Sequence, residues 1–299
     1  MDKYIVSDLI METARAADFE KTDAARTSVY SEDSFGDVKV CRLNIKDAGT
    51  AKKYACAVGR SVTVYTPKMW IIDDVEGRRL SEILARELHG LICATLNTTE
   101  ISAKRFLVAG IGNKRITPDA VGAMAVDRVS VTRHIERVSR EDFLKMRVAS
   151  VCCVNCGVLG ETGIESFEIL KGVVSICRPD CIIVLDALAA KDLERLAATV
   201  QMSDSGITPG AGIGNRQSAI NRDTLGVPVI AVGIPTVVSA ATLVADTLKR
   251  INMAKTDKIL ERIMNENKNF FVAPKECDII CDAASVILAR AVDMALGVI

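Results

Sequence analysis

Two aspartates stand where an α/β chain tends to do chemistry. Asp119 follows the apolar run Phe106-Leu107-Val108-Ala109 and the stretch Gly110-Ile111-Gly112-Asn113, and Asp186 closes the apolar run Cys181-Ile182-Ile183-Val184-Leu185. A carboxylate after five apolar residues of a central strand is costly to bury without a partner. Two carboxylates meeting at neighbouring strand ends shift each other's pKa, so one stays protonated while the other takes a proton from water. That is the acid and base pair of a hydrolase. Each aspartate also has a structural reading. Thr117-Pro118-Asp119 is a well-formed helix start, with Thr as cap, Pro in the first turn and an acid favouring the dipole. Asp186 can cap the Ala187-Leu188-Ala189-Ala190 segment, read as a short helix.

Around this pair lie groups that could assist. Backbone N–H groups at Gly110, Gly112 and Asn113 are candidates for holding an oxyanion or substrate. The third glycine of a dinucleotide loop is replaced by Arg115, and the Gly-Lys-Ser/Thr of a P-loop is absent. Asp204, in Ser203-Asp204-Ser205-Gly206 after a third strand, is a possible third acid. The glycine-dense Pro209 to Asn215 that follows reads as an irregular crossover or a backbone-lined substrate groove. The chain has two histidines: His89 lies on a long helix as a structural residue, and His134 ends the helix begun at Pro118, with a catalytic or ligand role held open. Cys153-Val154-Asn155-Cys156 has zinc-site spacing, but most of the ten cysteines sit in apolar segments and read as reduced core thiols.

The elements that must position these residues follow from periodicity. Alternation over Val38 to Ile45 and Ser61 to Tyr65 predicts strands, and a three-or-four spacing of apolar residues predicts a helix from Glu76 to Leu96. Thereafter strand precedes helix repeatedly: Phe106 to Ala109 before Pro118 to His134, Val148 to Cys152 before Ile164 to Ile176, Val229 to Val232 before Val237 to Ile251. A final helix runs from Ala283 to Leu296. This rhythm predicts an α/β fold of three layers, a largely parallel sheet with helices on both faces and ligands at the carboxyl ends of its strands.

Bulk composition narrows the classes of function. Of the 299 residues, 49 % are apolar, enough for a sizeable core, and 38 basic residues balance 38 acidic ones. No overall field draws the chain to nucleic acid or an anionic membrane. The N-terminus lacks the pattern of a signal peptide, and the uncharged run from Leu225 to Ala245 is broken by Pro228, Gly233 and Pro235. A cytoplasmic protein without membrane or cofactor is expected.

Longer motifs then come into view. Gly110-Ile111-Gly112-Asn113, Thr117 to Gly122, Thr132-Arg133-His134, Gly160 to Glu165, Leu185 to Ala190, Ser203 to Asn215, Gly226 to Val238 and Phe271 to Glu276 together resemble the spore germination protease family. The resemblance spans nearly the whole chain. It implies an endopeptidase that degrades small acid-soluble spore proteins during germination, in the forespore and spore core. It further implies a homotetramer made as a zymogen and grouped with aspartic-type peptidases, with Asp119 and Asp186 at the positions of the catalytic aspartates. The fold it implies is that of the hydrogenase maturation proteases. Those relatives recognise nickel through carboxylates and a histidine, so a metal-dependent peptidase stands beside the aspartic reading. A non-catalytic binding module is the third reading. Val6 to Thr13 resembles the family's propeptide junction, which implies self-cleavage between Asp8 and Leu9: a propeptide at 1–8 and one peptidase domain at 9–299. The chain departs from the family pattern at Ala123, where proline is usual, and at Lys114-Arg115 in place of an aromatic-containing pair.

Overall fold

The computed structural model describes residues 7–13, 29–54, 56–102, 104–211, 217–250 and 270–299. Of the calls above, residues 1–6 of the expected propeptide, 212–216 of the glycine-dense loop and Ile251 lie outside them.

One nine-stranded sheet carries the fold. Its strands are β1 (Tyr30–Phe35), β2 (Val38–Ile45), β3 (Gly59–Tyr65), β4 (Arg105–Ile111), β5 (Ser150–Gly157), β6 (Cys181–Ala190), β7 (Thr199–Ser203), β8 (Val229–Ser239) and β9 (Phe271–Val272). Their order is β1-β2-β3-β7-β8-β6-β4-β5, with β9 added beside β8. The β8-β6-β4-β5 half is parallel, whereas β1-β2-β3-β7 is antiparallel and joins β8 antiparallel too. The sheet is therefore mixed rather than purely parallel, with its parallel half where the strand-then-helix rhythm placed it. The alternating burial of β2, against the continuous burial of β6, is the physical mark of the two halves.

Helices cover both faces. α1 (Asp74–Leu96) and the C-terminal α5 (Cys277–Ala295) lie on one face, and the larger core there joins Val62, Phe106, Val108, Ile183 and Ile230 to Leu84, Leu88 and Leu288. α3 (Ser166–Cys177) lies on the other, where Leu170 meets Leu107, Ile182, Val184 and Val229. Successive residues of β4 and β6 alternate between the two cores, as the period of a strand demands. α1 starts at Asp73, whose carboxylate accepts from Glu76 N at 2.8 Å, and stops where Asn97 turns left-handed.

Three expectations change. The helix read from Pro118 to His134 is a single turn of 3-10 helix (Thr117–Asp119), α2 (Val121–Val126) and a separate helix Arg133–Val138. Thr132 breaks it: its N–H donates to Val151 O at 3.0 Å and its hydroxyl to Ala149 O at 2.6 Å, tying the chain to the start of β5. The Ala187–Ala190 segment is not a helix; β6 runs through it and pairs with β8. β8 likewise continues through Pro235 to Ser239 because Ile234, Thr236, Val237 and Val238 favour extended backbone, with a register shift beside the proline. The next helix, α4 (Ala240–Arg250), consequently starts later than expected.

Candidate active site

Asp186 sits where one strand outruns its neighbour. β4 pairs with β6 only up to Gly110 opposite Leu185, so Asp186 is the first residue of β6 past that pairing, while β8 still flanks it through Gly233. The gap left by β4 is filled by α2. A Cβ on Gly122 would lie 2.2 Å from Leu185 O and 2.4 Å from Ile111 O, so the helix backbone seats directly on the diverging strands.

The turn that carries Asp119 is fastened from several sides. Gly112 takes φ +120°, and a Cβ there would lie 1.9 Å from Asp119 O. Asn113 N donates to Asp119 Oδ2 at 2.8 Å. Thr236 Oγ1 donates to Pro118 O at 2.6 Å, and Cys281 Sγ to Thr117 O at 3.1 Å. The carboxylate thus belongs to a rigid corner between β4, β8 and α5.

Asp119 and Asp186 line one cleft of about 500 Å³ at the carboxyl ends of the parallel strands, a volume suited to a small ligand or a few peptide residues. Its walls include Ile111, Leu159, Gly160, Ile207, Pro209 and Phe271. Asp186 is 6 % exposed and accepts Ala187 N at 2.8 Å. Burial, then the nearby Asp119 and Asp8 carboxylates, raise its pKa well above the ordinary 3.8. Burial also raises Asp119, opposed by the Asn113 N–H and reinforced by Glu161. Two carboxyl groups in contact with one cleft, both biased toward the protonated form, can share and exchange a proton.

Asp8 lines the same cleft. Its N–H donates to Ala189 O at 2.9 Å, and its Oδ2 accepts Ala189 N at 2.9 Å. Its carbonyl accepts Gln201 Nε2 at 3.0 Å. Leu9, 1 % exposed, fills an apolar pocket of Leu188, Ala190, Leu196 and Val238. Glu12 accepts the backbone N–H of Lys191 at 2.6 Å and of Asp192 at 3.1 Å. The chain on either side of the Asp8–Leu9 bond is therefore bound at the aspartates like a peptide.

The other expected site residues lie elsewhere or serve the frame. Gly110 faces α2, where a Cβ would meet Gly122 O at 2.5 Å. Gly112 shapes the turn, and the Asn113 N–H is committed to Asp119, so this stretch positions an aspartate instead of an oxyanion. Asp204 is fixed by Arg60, whose N donates to Oδ1 at 2.6 Å and whose Nη1 approaches Oδ2 at 3.1 Å. It braces β7 against β3. His134, exposed on the Arg133–Val138 helix that packs near the start of β5, is at the opposite end of the sheet from the aspartates. His89 is structural: Nδ1 lies 3.0 Å from Ala295 O. Cys153 and Cys156 project to opposite cores because they are three apart on a strand, so they cannot chelate one ion. Among the described residues no three His, Cys, Asp or Glu side chains converge as a metal site.

Two cleft residues were given no role by the sequence reading, although Gly160 opens one of the motifs named above. Gly160 lines the cleft in the first turn of the Leu159–Thr162 helix, where backbone N–H groups have no intrahelical acceptor. Gln217 brings a buried Oε1 without a partner among the described residues. Gln217 has no signal in the sequence beyond its position just after a glycine-dense loop.

A parallel half-sheet with helices on both faces, and a cleft at its carboxyl ends lined by two carboxyl groups, defines the class: an α/β protein whose ligand site lies at the strand ends. The family model for germination protease matches residues 5–253. A germination protease of Clostridium perfringens (strain 13 / Type A) is 38 % identical over 282 residues, covering 87 % of this chain and 85 % of that one. One from Caldanaerobacter subterraneus subsp. tengcongensis is 35 % identical, covering 98 % and 94 %. One from Bacillus subtilis (strain 168) is 35 % identical, covering 84 % and 68 %. Among solved structures, the NiFe hydrogenase maturation protease HycI of Thermococcus kodakarensis KOD1 aligns with TM-score 0.29 and 17 % identity, over 56 % of this chain and 94 % of that one. The chain belongs to the germination protease family and is a peptidase of germination. No helix among the described residues is long and apolar enough to cross a membrane.

Proposed function

We propose that this germination protease cleaves peptide bonds with Asp119 and Asp186 as a coupled acid and base. The observation that carries the reading is the placement of both carboxyl groups in one cleft, each pushed toward protonation by burial. One deprotonates the attacking water and the other protonates the leaving amine. The Gly160 N–H is the donor we assign to the oxyanion, in place of Gly110 to Asn113. The Gln217 amide is the group we assign to the substrate backbone.

The chain is made as a zymogen that cuts its own Asp8–Leu9 bond. Support comes from the N-terminal segment bound at the aspartates, with Leu9 seated in its pocket. The substrates are small acid-soluble spore proteins, the assembly is a homotetramer, and the site of action is the forespore and spore core. What supports these three is the resemblance of the chain's motifs to the family.

The test is digestion of a purified small acid-soluble spore protein, read by mass spectrometry, with wild type, Asp119→Asn and Asp186→Asn, each with and without chelator. Cleavage at a few bonds by the wild type alone, unchanged by chelator, is the expected result. Equal cleavage by either variant removes that aspartate from the mechanism, and loss with chelator replaces the aspartic mechanism by a metal-dependent one. Intact mass under activating conditions reads self-processing: a wild type that keeps residues 1–8 while it digests substrate sinks the zymogen assignment.

A further inference from the structure

At the opposite end of the parallel half-sheet from Asp119 and Asp186 is a second concavity, of about 540 Å³, that the peptidase reading does not use. Arg105, which opens β4, lies at its edge, six residues and so about 20 Å along the strand from Ile111 in the catalytic cleft. Four more arginines line it: Arg133 and Arg137 on the Arg133–Val138 helix, Arg140 at the start of the next, and Arg178 after α3. Five guanidinium groups thus share one concavity in a chain whose charges balance overall.

The acids nearby offset only part of this charge. Glu136 lines the concavity, and its Oε2 accepts the Ser150 hydroxyl at 2.6 Å. Arg105 has an ion pair with Asp180 at 3.5 Å. Arg133, Arg137, Arg140 and Arg178 have no carboxylate partner among the described residues.

Local structure rewards only part of this grouping: Arg137, in the last turn of its helix, and Arg178, at the end of α3, suit the helix dipole. Arg133 and Arg137 are four apart on one helix, where like charges repel by a few tenths of a kcal/mol. Arg133 and Arg140 each open a helix, where the dipole disfavours a cation. Arg178 occupies a left-handed helix end, φ 48°, a conformation costly for any residue with a Cβ. A multiply charged anion would relieve the repulsion, and guanidinium forks match the paired oxygens of phosphate and carboxylate groups.

We propose that this cleft binds one small polyanion, a ligand carrying two or more phosphate or carboxylate groups. The volume fits a small molecule. The arginines gather in one hollow instead of tracking a charged backbone, and Ile176, 76 % exposed at the rim, interrupts any continuous basic stripe. The site shares no lining residue with the catalytic cleft and lies at the other end of the strands.

The experiment is calorimetric titration of the full chain at constant ionic strength with two probes, inorganic pyrophosphate and citrate, and with a short DNA duplex. It is repeated on Arg137→Gln/Arg178→Gln, two exposed residues whose replacement leaves the core intact; an unchanged ligand-free melting temperature checks this. The expected result is saturable binding of one probe molecule per chain, weakened about tenfold or more in the double variant. The tighter of the two probes tells phosphate from carboxylate chemistry. Absence of saturable binding for both probes, or binding undiminished in the double variant, overturns the proposal. So does DNA binding tighter than either probe, which makes the surface a nucleic-acid contact. A loss of mass by light scattering in the double variant overturns it too, because the arginines then meet acids of another copy.

Discussion

At the scale of single residues, the site depends on Asp186 being buried where water is scarce. Its folded pKa is raised, so the folded chain holds a proton that the unfolded chain releases. The stability this lends is fully present below about pH 3.8 and is lost progressively as pH rises to the folded-state value. Asn carries no such charge. Asp186→Asn is therefore expected to raise the melting temperature at neutral pH, by the equivalent of about 1–3 kcal/mol, with the gain vanishing toward pH 4. The same variant is expected to lose about 10²–10⁴ in peptidase rate. Thermal melts across pH check the first and substrate digestion the second. A variant that is more stable yet inactive distinguishes a functional acid from a helix cap, whose removal would destabilise. Both aspartates were legible in the sequence because a charge after an apolar strand has few structural uses. The roles of Gly160 and Gln217 were not, because their value lies in what stands across the cleft from them.

At the scale of elements, the turn from Gly112 to Asp119 is a backbone device. A Cβ at position 112 would overlap Asp119 O and demand a left-handed φ. Gly112→Ala is expected to cost about 3 kcal/mol and several degrees of melting temperature, and to lower peptidase activity by displacing Asp119. The docked N-terminal segment is a second device. Leu9→Ala empties its pocket at a cost of about 2–4 kcal/mol to docking. Faster hydrogen exchange at Ile10, whose N–H is held by Gln201 Oε1, and slower loss of residues 1–8 are the expected readouts. Unchanged exchange would show that the backbone contacts of Asp8 suffice. Helix α1 and strands β2 to β4 were legible because their periodicity is uninterrupted. The extensions of β6 and β8 were hidden, since Ala187 to Ala190 favours helix in isolation and becomes strand through pairing with β8.

At the scale of the whole molecule, the mixed sheet explains how one chain positions both a site and its own N-terminus. Parallel strands converge their carboxyl ends on the cleft, and antiparallel β7 runs back beside them, so Gln201 meets the segment that Ala189 of β6 also holds. The alternating pattern of β2 contained this antiparallel half in outline. The joining of β7 to β8 was not readable, because residues far apart in sequence meet there.

The Asp8–Ala189 clasp gives the proposed cut an electrical meaning. Before hydrolysis a carboxylate lies close enough to Asp186 to raise its pKa. Hydrolysis between Asp8 and Leu9 would let that negative charge depart and leave in its place a new α-ammonium, anchored by the Leu9 side chain and with an ordinary pKa near 8. The field at Asp186 would swing by about two elementary charges in the direction that favours ionisation. The cut and uncut chains would then carry different proton inventories at the same pH, and the acidic limb of the rate profile would move to lower pH once the chain is cut. Peptide bonds do not reform under such conditions, so the cleft would keep a permanent record of its first reaction.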